Sequence, residues 1–325
     1  MRLLRRRPWV PIAAGLLLSL LAGCRLEPPR GVVYVVDDDF TTRAYYRAIV
    51  DADNLTLGAA VELPLEHPVD LPAFTPAGDE LWAFSADADD NPGLYRLAFD
   101  DAGPVGAPER LIDLTPYPAA AASAAQPAGG GRVFFDARVP ETDSWQLFVY
   151  EDGDVVQLTA GAADREIPVV SPDGARLVFS TNDDGAGGRG DDYDLWTYEL
   201  AAGELKPLLV LPGDQGSPSF GPDGALYFNS TAADAADNNA EFDLARLDEL
   251  EVPKPGDIDY LPDLGGLEIF PRPAGDGRLL LVSVLTDDGW NAVIYDLENE
   301  TSRTLGHPDG PQIIYAGWRP PAPTE

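Results

Sequence analysis

The chain has 325 residues, 45% of them hydrophobic, which is enough to bury the core of one large domain. It carries 55 Asp and Glu against 22 Lys and Arg, and the resulting net charge of −33 argues against a nucleic-acid partner, because such a surface repels phosphate backbones. One cysteine and two histidines exclude an internal disulfide framework and metal sites built from several thiolates or imidazoles.

The N-terminal segment has the parts of an export signal. Four arginines precede an apolar stretch at residues 9–21, which is too short to span a membrane comfortably. The segment ends in Leu-Ala-Gly-Cys at Cys24, a tetrapeptide that resembles the bacterial lipobox. The resemblance implies cleavage between Gly23 and Cys24 and a diacylglyceryl thioether on the Cys24 sulfur. The alternative is an ordinary cleaved signal beside an incidental cysteine, but a lone thiol is a liability in an exported protein.

We therefore expect residues 1–23 to be a lipoprotein signal peptide and residues 24–30 to be a short lipidated tether. The expected partner of Cys24 is a membrane, since more than one acyl chain gives stable anchoring. Position 25 is arginine, whereas family resemblance associates aspartate there with retention at the inner membrane. The outer membrane, on its periplasmic face or at the cell surface, is thus favoured over the inner membrane.

The first strands are predicted directly after the tether. Residues 31–36 and 43–50 are rich in β-branched and aromatic side chains, and residues 59–63 continue the pattern. We interpret these segments as the second, third and fourth strands of a sheet that lacks its first strand.

Five copies of one unit follow, each combining a tight turn with two strands. The units occupy residues 74–97, 126–150, 168–200, 218–247 and 271–295. Their prolines recur 45 to 51 residues apart, at Pro76, Pro127, Pro172, Pro222, Pro273 and finally Pro320. Pro-Asp-Gly and Pro-Ala-Gly favour tight turns because proline fixes φ and glycine tolerates positive φ. A period of about 40–50 residues is typical of a four-stranded propeller blade.

The C-terminus supplies one unpaired strand at residues 312–318. If this strand completes the N-terminal sheet, the ring closes and no edge stays open. The sequence thus predicts an all-β fold, a six-bladed β-propeller closed by three N-terminal strands plus one C-terminal strand. The propeller is expected over residues 31–320, with residues 321–325 as a tail.

The Ser-Pro-Asp-Gly turn at residues 171–174 and the Tyr-Asp-Leu-Trp run at residues 193–196 resemble the WD40-like repeat of TolB propellers. Prolyl-oligopeptidase-type enzymes share this repeat. The resemblance covers about residues 31–320 and implies a six-bladed ring with a binding role. We expect the α/β domain that TolB carries before its propeller to be absent, because few residues separate Cys24 from the first strand. TolB's partners therefore do not carry over.

No catalytic residues are predicted. The chain lacks a Gly-x-Ser-x-Gly elbow, which a peptidase of this kind would need. Its two histidines, His67 and His307, both precede prolines in loops between units, so we interpret them as structural or solvent-exposed. The tryptophans on repeat strands fit core packing better than a sugar-binding face, namely Trp82, Trp145, Trp196, Trp290 and Trp318.

Acidic loops follow the predicted second strands, and Ca²⁺ is the ligand that their carboxylates suggest. The candidate Ca²⁺ loop contains Asp183, Asp184, Asp191, Asp192 and Asp194. Ca²⁺ takes six to eight oxygen ligands, which such a loop can provide. Aspartate and asparagine are also common turn residues, and we favour the interpretation that these loops are solvated acidic turns. We expect no cofactor, with Ca²⁺ as the alternative.

The sequence favours an envelope lipoprotein whose propeller is a non-enzymatic, monomeric scaffold for a protein or peptide partner. A carbohydrate- or Ca²⁺-binding propeller is the alternative, with a lyase or hydrolase as its remote version. The identity of the partner is not encoded in any motif that we find.

Overall fold

The computed structural model describes residues 30–38, 42–65, 72–86, 92–100, 102–114, 125–185, 189–233, 241–251, 253–307 and 312–320. The signal peptide, the lipobox, His67 and the C-terminal tail lie outside these residues. Within them the chain forms 25 β-strands and one short 3-10 helix, Pro255–Asp257. In that part of the chain, no helix has the length and apolar character needed to cross a membrane.

The strands fall into six consecutive groups and one final strand. The first group is β1 (Arg30–Asp38), β2 (Thr42–Asp51), β3 (Thr56–Leu57) and β4 (Val61–Glu62). The second is β5 (Ala73–Phe74), β6 (Glu80–Ala86), β7 (Pro92–Asp100) and β8 (Gly103–Asp113). The third is β9 (Gln126–Pro127), β10 (Val133–Val139), β11 (Ser144–Glu151) and β12 (Asp154–Gln157).

The remaining groups repeat this arrangement. The fourth is β13 (Arg165–Val170), β14 (Arg176–Asp183), β15 (Arg189–Glu199) and β16 (Glu204–Leu209). The fifth is β17 (Gln215–Phe220), β18 (Leu226–Ser230), β19 (Asp243–Leu247) and β20 (Ile258–Tyr260). The sixth is β21 (Leu267–Pro273), β22 (Leu279–Thr286), β23 (Gly289–Asp296) and β24 (Thr301–Thr304). The final strand is β25 (Gln312–Arg319).

Each group forms one antiparallel sheet, and we call the six sheets blades 1 to 6. In blades 2 to 6 the strands lie in chain order from the innermost to the outermost. In blade 1 the order is β25-β1-β2-β3, so the C-terminal strand is innermost. This confirms the predicted all-β, six-bladed propeller and its closure by N- and C-terminal strands together.

The fourth strand of blade 1 differs from its prediction. We expected one strand over residues 59–63, whereas two short strands, β3 and β4, both pair with β2. The residues between them leave the ladder, although the Gly58 backbone still donates to the Ile49 carbonyl at 2.8 Å. An outermost strand has no neighbouring strand on its far side to keep it regular, which accounts for the break.

Tight turns connect the innermost and second strands on one side of the ring. Pro76, Pro172 and Pro222 lie in such turns, and Gly174 in one of them has φ of 68°. Pro127 and Pro273 are instead the last residues of β9 and β21. In blades 3 and 6 the proline thus lies two residues before the turn position that proline occupies in the other blades. Gly129 and Gly275 occupy that turn position instead.

The core lies between neighbouring blades and is built mainly from second and third strands. Leu177, Phe179 and Leu195 of blade 4 are fully buried, as is Trp82 of blade 2. The other four tryptophans on repeat strands are half-buried. Core packing is thus confirmed in full for Trp82 and in part for the others.

Candidate functional site

One side of the ring carries exposed carboxylates on several of its loops, and we call it the acidic face. It is the side at which the innermost strands begin and the loops between second and third strands lie. Its described exposed carboxylates include Glu141, Asp143, Asp184, Asp192, Glu241, Asp287 and Asp288. Those residues come from blades 3 to 6, so the negative charge is spread over several loops instead of collecting on one.

A cavity of about 330 Å³ opens on the acidic face between blades 4, 5 and 6. The innermost strands of these three blades border it, so it lies beside the central channel. Its lining is Glu166, Ile167, Ser180, Tyr193, Asp214, Gln215, Gly216, Ser217, Asn229, Phe242 and Ile269. Two carboxylates and several neutral polar groups thus share the cavity with apolar side chains, and no basic residue lines it.

The backbone beside the cavity adopts the same unusual conformation in three successive blades. Ile167, Ser217 and Phe270 have φ of 55°, 49° and 53°. Each precedes a proline and lies where the pairing of the innermost strand with the second strand shifts register. A left-handed conformation costs a non-glycine residue about 1–2 kcal/mol. These bulges re-aim side chains beside a pocket, as bulges near functional sites often do.

Neighbouring groups hold the bulge of blade 4 in place. The Ile167 N–H donates to Asp136 Oδ2 at 2.6 Å, and Asp136 is a fully buried residue of β10 in the preceding blade. A carboxylate that accepts a backbone N–H in a buried setting makes a strong, charge-assisted bond. The strain at Ile167 is therefore supported across the interface between blades 3 and 4.

Two buried side chains in the cavity have atoms without a hydrogen-bond partner. Ser180 and Asn229 are only 3% and 2% exposed, and within the described residues Ser180 Oγ and Asn229 Oδ1 have no partner. They occupy equivalent places, because Ser180 pairs with Glu166 and Asn229 pairs with Gly216. An unsatisfied buried polar atom costs about 1–3 kcal/mol, which marks both atoms as candidates for contact with a ligand.

Gly216 leaves the space between these two side chains open. A Cβ atom at this position would lie 3.5 Å from Asn229 Oδ1 and 3.6 Å from Ser180 Oγ, both ordinary contact distances. The absence of a side chain at Gly216 therefore leaves space beside both polar groups.

Tyr193 connects the two carboxylates of the cavity. Its backbone N–H donates to Asp214 Oδ1 at 2.9 Å, and its hydroxyl lies 3.4 Å from Glu166 Oε1. Burial raises the pKa of the adjacent Asp194 to about 6, and the negative charges of Asp192 and Asp214 add to the effect. The electrostatic potential beside the cavity is therefore negative.

The candidate Ca²⁺ loop does not converge on one point in the described residues. Asp183 forms a buried ion pair with Arg165 at 2.6 Å, and Asp194 Oδ1 accepts the Leu211 N–H at 3.3 Å. Asp184 and Asp192 are exposed, and the side chain of Asp191 lies outside the description. Within the described residues, no three carboxylate, imidazole or thiol groups are arranged to hold a metal ion. Calcium binding stays a prediction, and Asp183 has a structural role.

His307 is held as a structural residue. It is buried, its Nδ1 lies 3.0 Å from the Tyr34 hydroxyl, and its ring packs on Tyr46 at 4.5 Å between centroids. His67, Gly23 and Cys24 lie outside the described residues, so processing and lipidation at Cys24 stay predictions.

The sequence analysis missed the cavity. The sequence feature that accompanies the cavity is a proline at the start of the repeat in three blades, at Pro168, Pro218 and Pro271. The residue before each proline adopts the left-handed conformation, which residues in that position rarely do, so the pattern alone gave no reason to expect it. Ser180 and Asn229 are followed by further polar residues at the ends of β14 and β18, so the sequence does not distinguish them from their neighbours.

Comparisons with known proteins establish the fold and not the family. No family model matches the chain, and no curated protein matches it in sequence. TolB from Acinetobacter baumannii is similar in structure, with a TM-score of 0.70 and 15% identity over 90% of this chain and 67% of that chain. A putative TolB from Agrobacterium tumefaciens has a TM-score of 0.58 and 16% identity, over 90% of this chain and 99% of its own.

A chain from a nidogen/laminin complex is also similar, with a TM-score of 0.60 and 12% identity over 89% of this chain and 98% of that chain. The described fold is therefore a TolB-like six-bladed β-propeller. At these identities the likeness concerns the fold alone.

Proposed function

We propose that this chain is a lipid-anchored envelope protein whose propeller is a non-enzymatic scaffold that binds a protein or peptide partner. The observation that carries the proposal is the cavity on the acidic face, where the buried Ser180 and Asn229 leave polar atoms for a ligand. Two supporting facts are the TolB-like fold and the presence of a similar propeller in a complex of two proteins.

Binding explains the cavity better than catalysis does. A serine nucleophile needs a base within hydrogen-bond reach. Ser180 and Ser217 line the cavity without a histidine among its lining residues, and His307 contacts Tyr34 of blade 1 instead. The carboxylates Glu166 and Asp214 contact Tyr193, which orders the cavity wall.

Site-specific photo-cross-linking of the full-length protein in cells tests the binding role. A photoreactive residue replaces Asp192 or Asp287 on the acidic face, and a matched one replaces Ala201, which is exposed at the opposite side. We expect one discrete adduct from each acidic-face position and none from Ala201. Equal adducts from all three positions, or none from the acidic face, would contradict the proposal. An adduct that is digested by glycosidases and not by proteases would favour the carbohydrate alternative.

The anchor is tested separately with Cys24→Ala. The lipobox resemblance predicts that the wild-type chain incorporates labelled palmitate and fractionates with membranes. The variant has no thiol to acylate, so it should lose the label and accumulate as the unprocessed precursor. A wild-type chain that is soluble and unlabelled after export would show that Cys24 is not an anchor, whatever the propeller binds.

A further inference from the structure

The cavity between blades 4, 5 and 6 combines three properties that restrict its ligand. Two of its lining residues carry buried acceptor atoms without a partner among the described residues, Ser180 Oγ and Asn229 Oδ1. Asp214 and Glu166 supply negative charge at its side, while Ile167, Phe242 and Ile269 provide apolar wall. The ligand must therefore donate hydrogen bonds, tolerate or carry positive charge, and offer some apolar surface.

These properties exclude the other simple ligand classes. An anion would meet two carboxylates and no basic residue of the lining. A bare metal ion is far smaller than a cavity of about 330 Å³, and the described residues provide no group of three metal-ligating side chains. A purely apolar ligand would leave Ser180 Oγ and Asn229 Oδ1 unsatisfied.

A primary ammonium group meets all the requirements. It has three N–H donors and no acceptor, so it matches a serine hydroxyl, an amide oxygen and a carboxylate. Its methylene stem can pack on apolar wall while the charged end stays paired. We propose that this cavity binds one alkylammonium group, the side chain of a lysine on the partner. This inference rests on the function proposed above. The ammonium group contacts Ser180, Asn229 and Asp214, and the stem packs on Ile167 and Phe242.

The surroundings of the cavity favour the same charge. The pKa of Asp194, next to the cavity, is raised to about 6 by burial and by Asp192 and Asp214. The chain as a whole carries a net charge of −33, which attracts a cationic group over long range at low salt.

Calorimetric titration of the purified full-length protein with a Gly-Gly-Lys-Gly-Gly peptide tests this assignment. The matched probe carries Nε-acetyl-lysine, which keeps the stem and removes the charge. We expect one peptide per protein and binding that is weakened about tenfold or more by acetylation. Asp214→Asn should weaken binding of the lysine peptide to a similar degree, because asparagine can still accept the Tyr193 N–H but lacks the charge.

Gly216→Ser provides the sharper variant. The backbone of Gly216 does not have a positive φ, so serine is compatible with it, and the new side chain reaches Ser180 and Asn229. The variant should fold with an unchanged or higher melting temperature and lose binding of the lysine peptide. Gly256→Ser is the control, since Gly256 is exposed and has no neighbour within 4 Å of a new Cβ. Full binding by folded Gly216→Ser, or equal binding of the acetylated peptide, would overturn the proposal.

A third probe separates the sources of the ammonium group. Butylammonium chloride, compared with tetramethylammonium chloride at the same ionic strength, presents the group without a peptide. If butylammonium binds and the lysine peptide does not, the cavity takes a free amine and the assignment to a partner's lysine is wrong. If no probe binds, the cavity assignment fails, while cross-linking from Asp192 and Asp287 still decides whether the acidic face binds a partner.

Discussion

Arg165, Gln215 and Glu268 occupy the same position in blades 4, 5 and 6, two residues before the left-handed residue. All three are buried, and each bonds to the loop that enters its blade. Arg165 and Gln215 donate to the carbonyls of Ala160 and Gly213, whereas Glu268 accepts the N–H of Leu264. An arginine, a glutamine and a glutamate thus each bond the innermost strand to the loop before it. Of the three, only the glutamate makes this contact dependent on pH.

Glu268 is predicted to make the protein less stable as the pH rises. Burial raises its pKa to about 7, although bonds from the backbone of Leu264 and Leu244 oppose the shift. The native state therefore holds a proton that the unfolded chain has released above its ordinary pKa of 4.5. Stability falls as the pH rises from that value through about 7, by an amount on the order of 3 kcal/mol.

Urea unfolding at pH 5 and pH 8 measures this effect. Glu268→Gln should lose much less stability between the two pH values than the wild type does. Glu141→Gln is the control, because Glu141 is exposed on a loop of the acidic face. A wild-type protein whose free energy of unfolding changes no more with pH than that of Glu268→Gln would refute the role assigned to Glu268.

At the scale of the element, hairpins between third and fourth strands share a small motif. In blade 6, Asp296 Oδ1 accepts the N–H groups of Glu298 and Asn299, and Oδ2 accepts Asn299 Nδ2 and the Arg278 guanidinium. In blade 1, Asp51 makes the same bonds to Asp53 and Asn54, and no arginine of the described residues joins them. Asp51 is therefore a turn residue.

The motif predicts unequal effects of one substitution in the two blades. Although burial opposes it, the bonds from Arg278 and Asn299 hold the pKa of Asp296 well below its ordinary value. Asp296→Asn should destabilise the protein by about 1.5–3 kcal/mol at pH 7, since it breaks charge-assisted bonds. This stabilisation is present above pH 3.8 and is lost as the pH falls through the native pKa. Asp51→Asn, at an exposed site, should cost clearly less by urea unfolding, and equal costs would contradict the motif.

The elements themselves were largely predictable, because each repeat buries second and third strands between neighbouring sheets. Phe179 and Leu195 lie in the predicted strands and in the core. Turn glycines and prolines fixed the register where the turn is Pro-Asp-Gly, as around Pro172. The predictions failed at an outermost strand, where nothing packs on the far side, and at Pro127 and Pro273, where proline ends a strand.

The candidate site could not be predicted, for a different physical reason. It is assembled from residues of three blades whose equivalent positions are about 50 residues apart in the chain, such as Glu166, Gly216 and Ile269. None of these residues carries a signal by itself. A buried serine in a strand usually finds a partner, and only the arrangement in space shows that Ser180 Oγ has none among the described residues.

At the scale of the whole molecule, the ring depends on its closing strand. β25 pairs with β1 over most of its length. Trp318 Nε1 donates to the Arg272 carbonyl in blade 6, and Arg319 Nε donates to the Gly78 carbonyl in blade 2, both at 2.8 Å. One strand therefore joins three consecutive blades.

Deletion of residues 311–325 tests this closure. It would expose the backbone groups of β1 and uncover the apolar cluster that contains Ile313, Val32 and Leu281, with Trp318 packed against it. Each large apolar side chain that loses its burial costs about 1.5–3 kcal/mol, and a domain has only about 5–15 kcal/mol in total. The deletion should therefore unfold or aggregate the propeller, whereas deletion of residues 321–325 should leave its melting temperature unchanged.

A point substitution makes the same test without removing a strand. Ile313 of β25 and Ile294 of β23 lie in one cluster and are equally buried, at 1% and 0% exposed. If β25 is an integral strand, Ile313→Ala should cost as much as Ile294→Ala, about 2–5 kcal/mol by urea unfolding. A docked tail would detach at little cost, because its loss would leave the other 24 described strands paired. A negligible effect of Ile313→Ala beside a large effect of Ile294→Ala would thus show that the ring holds without its C-terminal strand.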